Sequence, residues 1–247
     1  EIGSGSTIMG YAGFCAGDNI QTSSDPYFHV ASLSQIEAFL QSVGGTCGTH
    51  VISTNAMPMV KVGSDTLIIP KNQPFRLNAI GSDVDTSNML FYSWEQINLN
   101  TGATLTAVGT GPTDAPRFRS RLPTTQSFRF FPPLLTVTAN TPNLADQLPI
   151  APGNMTFAVT IRDHFNPLSD SGFGTWNADQ MTVTVSDVEP LAILATAIKN
   201  TTEGSVFNIT WNATSTSSLA PIVQIIFLTN DTFKDISLVS STENDVP

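Results

Sequence analysis

Between residues 155 and 186 the chain twice alternates apolar and polar side chains with a period of two. Met155, Phe157, Val159 and Ile161 interleave with Thr156, Ala158, Thr160 and Arg162, and Met181, Val183 and Val185 interleave with Thr182, Thr184 and Ser186. A helix cannot present that period to a single environment; it describes strands with one face toward a core and the other toward solvent. Shorter strand candidates lie at 66–69 and 75–80, and a longer one at 89–97, with Trp94 in its middle. Several such strands joined by Gly, Pro, Asn and Asp predict a β-sandwich. Phe128, Phe130 and Phe131 precede Pro132-Pro133 and predict an edge strand, because a central strand tolerates proline poorly.

One helix is expected, over 33–43. Ser32 and Gln35 form a capping box, Leu33, Ile36, Leu40 and Val43 make an apolar stripe for the core, and Gly44-Gly45 ends it. Residues 1–48 are therefore a first unit, residues 49–188 a β-sandwich with insertions at 110–153 and 166–177, and residues 189–247 a second β unit. Glu189-Pro190 reads as the linker. In the last unit Phe207, Ile209 and Trp211 alternate with Asn208, Thr210 and Asn212, and 221–228 predicts a buried strand followed by a turn at 229–232. This unit is short for a complete sandwich, so an incomplete one is expected.

Charged residues make up only 12% of the chain against 40% hydrophobic, so Ser, Thr, Asn and Gln must cover much of its surface. That balance suits an extracellular β protein. A net charge of −10 with no basic patch argues against nucleic acid as a partner. No apolar run approaches the roughly 20 residues that span a bilayer, so no transmembrane segment is expected. A signal peptide is absent too, as in a chain that starts after processing. Cys15 and Cys47 are the only cysteines; flanking the helix in a secreted protein, they are expected to form a disulfide, the alternative being two buried thiols. Five sequons, at Asn154, Asn200, Asn208, Asn212 and Asn230, add N-linked glycans to the extracellular reading, and four of them fall within 200–232.

The run Gly5-Ser6-Thr7-Ile8-Met9-Gly10-Tyr11-Ala12-Gly13, then Asp25-Pro26-Tyr27-Phe28-His29, the helix and Gly45-Thr46-Cys47-Gly48 resembles the C-terminal part of a secreted reprolysin-like metzincin zinc protease, from its methionine turn onward. The resemblance implies that Met9 lies beneath zinc-binding histidines as an apolar base, and that Tyr11 contacts zinc or substrate. Phe75–Asp85 and Leu90–Gln96 resemble the immunoglobulin-like module after such protease domains, a layout shared with polycystic-kidney-disease-type and cadherin-like modules. The His-Glu-x-x-His-x-x-Gly-x-x-His motif of a metzincin is absent, and His29, His50 and His164 are too far apart to pair on one helix. Zinc therefore requires a missing upstream subdomain or a second chain. Without it Met9 is expected to be a core residue, and the chain alone should not hydrolyse peptides.

Asp83 and Asp85, with Asn88 nearby, offer oxygen ligands for calcium, and Asp163, Asp187 and Glu189 join them if strand ends meet; the alternative is a polar turn whose carboxylates accept backbone hydrogen bonds. His29 is expected to make a structural hydrogen bond rather than bind metal. No serine-nucleophile motif is present. The sequence thus reads as a non-catalytic extracellular glycoprotein segment with an adhesion, binding or assembly role, derived from a metzincin-like protease. It would associate through β edges or with a missing protease subdomain. The alternative is the C-terminal portion of an active secreted zinc metalloprotease.

Overall fold

The structure, a computed structural model, describes residues 1–49, 55–85, 89–99, 105, 114–139, 143–163, 174–194, 210–212, 216, 219, 222–223 and 242–243. Its fold is mainly β. In chain order the first strands are β1 (Met59–Val62), β2 (Thr66–Pro70), β3 (Phe75–Ser82), β4 (Phe91–Gln96), β5 (Phe128–Phe131), β6 (Gly153–Arg162) and β7 (Trp176–Ser186). They form a three-stranded sheet in the order β1-β3-β5 and a four-stranded sheet in the order β2-β7-β6-β4. All pairings are antiparallel except β2 with β7, which run parallel. The expected edge strand is present as β5, at the end of its sheet. Strand β1 has no counterpart in the sequence reading; Met59 and Lys61 face outward while only Val62 is buried, so its four residues carry too short a pattern to detect.

Both sheets contribute to one core. Leu77 and Phe131 from the first sheet meet Trp94, Phe157, Ile161 and Val183 from the second, with Phe118 of the insertion between them. Trp94 is buried mid-strand as expected, and its indole N–H donates to the Ser127 carbonyl at 3.0 Å.

The helix α1 spans Val30–Leu40, starting earlier than its sequence signals indicate. His29 caps it: Nδ1 accepts from the Ala31 N–H at 3.1 Å, a role that the capping-box reading gave to Ser32. A one-turn helix, α2, covers Leu134–Thr138 in the insertion. Strands β8 (Ala192–Leu194) and β9 (Thr210–Asn212) pair antiparallel, as do β10 (Ile222–Val223) and β11 (Thr242–Glu243). Most of the alternation expected at 207–212 and the turn at 229–232 lie outside the described residues.

Candidate functional site

Alternation in β6 predicts that Ala158, Thr160 and Arg162 face solvent. They are buried instead, with Ala158 and Thr160 fully so, and the neighbouring outward residues of β4, Ser93 and Glu95, are buried as well. The cause is residues 1–30, which lie across this face of the sheet. Val30 N–H donates to Glu95 Oε2 at 2.7 Å, and Arg162 Nη2 donates to the Phe28 carbonyl at 2.8 Å. The Arg162 guanidinium also sits 5.8 Å from the Tyr27 ring centre. Further along, Ser6 Oγ donates to the Ser120 carbonyl at 3.0 Å, Leu105 N–H donates to Asp18 Oδ1 at 2.9 Å, and Ile2 packs with Leu105 and Ala145 in a small second core.

This seam is buried and charged. Glu95 is fully buried; Oε2 caps the first N–H of α1, where a helix N-terminus favours negative charge, yet Oε1 has no protein partner among the described residues. Burial lifts its carboxyl to about 7, against the opposing charges of Arg162 and Arg129 and the Val30 hydrogen bond. Burial also drives His29 down to about 4, partly offset by the Glu1 carboxylate, and pushes the Tyr27 phenol up. At neutral pH the histidine is uncharged. Sequence reasoning missed Glu95 and Arg162 as seam residues. The available signal was charge at otherwise regular strand positions, which alone reads as solvent exposure.

The seam holds the turn at residues 4–11 in a fixed attitude. Ser4, Gly5, Ser6 and Thr7 are buried, while Tyr11 N–H donates to the Ser4 carbonyl at 2.7 Å and Ile8 N–H to the Tyr27 carbonyl at 3.0 Å. Gly3 adopts a φ of +52°, and a Cβ there would stand 2.5 Å from the Asp18 carbonyl oxygen. Ile8, Met9, Tyr11 and Phe14 are consequently turned outward, with Met9 63% and Tyr11 70% exposed. The expectation that Met9 is a core residue is therefore corrected: nothing among the described residues covers it. The same correction applies to α1, whose stripe does not face the core. Ile36, Leu40 and the following Val43 are exposed, as is Phe39, and Leu33 is half-buried; only Val30 is buried. Met9 and the start of α1, at Ala31 and Ser32, border one small cleft of about 190 Å³.

Cys15 and Cys47 are free thiols rather than the expected disulfide. Each sits in a loop closed by its own hydrogen bonds: Cys15 N–H donates to Asn19 Oδ1 at 2.9 Å, and Cys47 N–H to the Gly44 carbonyl at 3.4 Å. Cys47 is exposed and Cys15 half-buried, so they are not the two buried thiols of the alternative either.

The candidate calcium carboxylates serve as hydrogen-bond acceptors. Asp83 Oδ1 accepts from Asp85 N–H at 2.8 Å, and Asp85 Oδ2 from Ala56 N–H at 2.7 Å. Asp163 accepts from Asn55 Nδ2 at 2.6 Å and from the hydroxyl and amide of Thr175. Asn55 and Ala56 thus link Asp85 and Asp163 at one end of the sheets, but with protein donors in place. Asp187 and Glu189 both pair with Lys71, at 3.0 and 2.9 Å. Among the described residues no three His, Cys, Asp or Glu side chains form a group able to hold a metal, so the described residues bring together neither a zinc nor a calcium ligand set. Asn154 and Asn212 are exposed; Asn200, Asn208, Asn230, His50, Asn88 and His164 lie outside the described residues.

No known protein family and no curated protein matches the chain. Among solved structures it is similar to human mucin-like protocadherin EC1-2, at 15% identity and a TM-score of 0.24, over 55% of this chain and 55% of that one. The chain thus spans about half the length of that neighbour, a likeness too slight to assign a fold or a role. No helix among the described residues is long and apolar enough to cross a membrane.

Proposed function

We propose that this chain is a non-catalytic, extracellular binding and assembly segment of metzincin-like descent, and that the apolar face of residues 8–43 is a floor on which a zinc-binding subdomain packs. The observation that carries the reading is the exposure of Ile8, Met9, Tyr11, Phe14, Phe39, Leu40 and Val43 on a unit firmly anchored to the sheet beneath it. A turn held this rigidly with its methionine outward is arranged to be covered, and several large apolar side chains exposed on one anchored unit mark an interaction surface. The chain's own residues supply the floor and position it. The zinc ligands and the water-activating glutamate would belong to the occupant, carried on another segment or another chain. Tandem immunoglobulin-like modules bearing N-linked glycans would then hold the assembly outside the cell.

Val43→Glu tests this reading, because Val43 is 76% exposed and touches little of its own chain. The isolated chain should keep its stability to within about 0.5 kcal/mol, as surface substitutions do. Zinc-dependent peptidase activity of the natural protein should fall at least tenfold. A natural protein that carries no zinc, or whose activity is indifferent to Val43→Glu, contradicts the protease floor. If the natural species proves to be a zinc-free oligomer joined through this face, the second reading holds: an adhesion subunit whose occupant is another copy.

A further inference from the structure

Alongside β5, between β4 and α2, runs a half-open groove of about 560 Å³, within the range of small-molecule sites. Its walls are Tyr92, Trp94, Leu122, Phe128, Phe130 and Leu135, and its charged lining consists of Arg121 and Arg129, with no acidic side chain among the described residues. Arg129 is committed to the protein: it donates to the carbonyls of Trp94 at 2.6 Å and Arg119 at 2.7 Å, and lies 3.4 Å from Asp146. Arg121 is only partly committed. It pairs with the other oxygen of the same Asp146, but its Nε is buried with no partner among the described residues, and 39% of its side chain remains exposed. Two guanidinium groups therefore share one fully buried carboxylate, leaving a positive groove in a chain of net charge −10. Burial lowers Arg129 only to about 10, so its charge persists at neutral pH.

We propose that this groove binds a small amphiphilic carboxylate, an apolar chain or ring bearing one carboxylate group, with Arg121 receiving the charge. The apolar walls take the body of the ligand, and the partly exposed Arg121 side chain favours a planar anion over a neutral or cationic head. Leu122 and Leu135, 48% and 58% exposed, are apolar residues of its lining. The site is separate from the face of residues 8–43 and does not depend on its assignment.

The test titrates the full chain with octanoate, octanol and octylamine by calorimetry, alongside tryptophan fluorescence, since Trp94 lines the groove. Octanoate should bind once per chain, octanol about tenfold more weakly, as expected for loss of one charge-assisted hydrogen bond, and octylamine more weakly still. Leu135→Glu should weaken octanoate at least tenfold without moving the thermal melt, because Leu135 is exposed. Arg121→Gln should bring octanoate down to the affinity of octanol, while Arg121→Lys retains part of the preference. Should Arg121→Gln unfold the chain, the three-probe series and Leu135→Glu still decide. No octanoate binding, equal affinities for octanoate and octanol, several octanoates per chain, or indifference to Leu135→Glu would each overturn the proposal.

Discussion

Replacing Phe131 by alanine is expected to cost the fold about 3–5 kcal/mol, as large-to-small changes of buried aromatics do. Phe131 is fully buried and stands at the junction of the two sheets and the insertion. Its ring stacks on Phe75 with centres 5.2 Å apart, and meets Phe118 and Phe157 edge-on at 5.1 and 4.8 Å. The Arg129 guanidinium lies 4.4 Å above it, so truncation also removes a desolvated cation–π contact and opens a cavity beneath a buried charge. Phe128→Ala is the matched control. Its half-buried ring lies on the outer side of the same strand, near Arg76 and Phe130, and should cost no more than about 1 kcal/mol. Urea denaturation of both variants checks this. Equal losses would mean that the two sheets do not share the core described here.

The second large effect is one of pH at the seam. The Glu95 carboxyl is raised to about 7 in the folded chain from an ordinary value of 4.5. The folded state therefore holds an extra proton between those values, and the stability this brings is complete below pH 4.5 and lost as pH rises through 7. That difference corresponds to about 3 kcal/mol. His29 acts in the opposite sense: with its pKa lowered from 6.5 to about 4, its contribution is complete above pH 6.5 and lost as pH falls toward 4. Between pH 4.5 and 6.5 the two slopes cancel. The charged and titratable groups acting on Glu95 in this arrangement are Glu1, Tyr27, Arg129 and Arg162. Glu95→Gln removes one slope, so its stability relative to the unmodified chain should rise by about 3 kcal/mol from pH 4.5 to pH 8. Parallel profiles for the two proteins would show that Glu95 titrates as an ordinary carboxylate.

The sheets were legible in the sequence because their period-two signals are strong and local. β6 and β7 carry four and three apolar residues in register, and Trp94 and the Phe128–Phe131 run marked their strands correctly. What could not be read was which outward faces another segment would cover. Thr160 and Arg162 look like solvent positions, and become buried only because Tyr27-Phe28-His29 lies over them. The helix boundary failed for a related reason. Its start is fixed by a histidine cap and by Glu95, 65 residues distant in sequence, rather than by the local Ser-x-x-Gln pattern. The apolar stripe of α1 was correctly seen as apolar, yet composition cannot say whether the surface that covers it comes from this chain. For the acidic cluster, the interrupted spacing of the carboxylates favoured hydrogen-bonded turns over calcium, and the carboxylates accept hydrogen bonds from Asn55, Ala56 and Thr175.

The most direct test of the assembly floor is oxidative footprinting of Met9 in the protein isolated from its natural source, set against the chain of residues 1–247 alone. In the isolated chain Met9 is 63% exposed and should convert readily to the sulfoxide under dilute peroxide. In the natural species the account predicts protection of at least tenfold at Met9. Met59, which is 64% exposed on the far sheet, should react equally in both. Equal reactivity of Met9 in the two preparations would contradict the claim that this face is built to be covered.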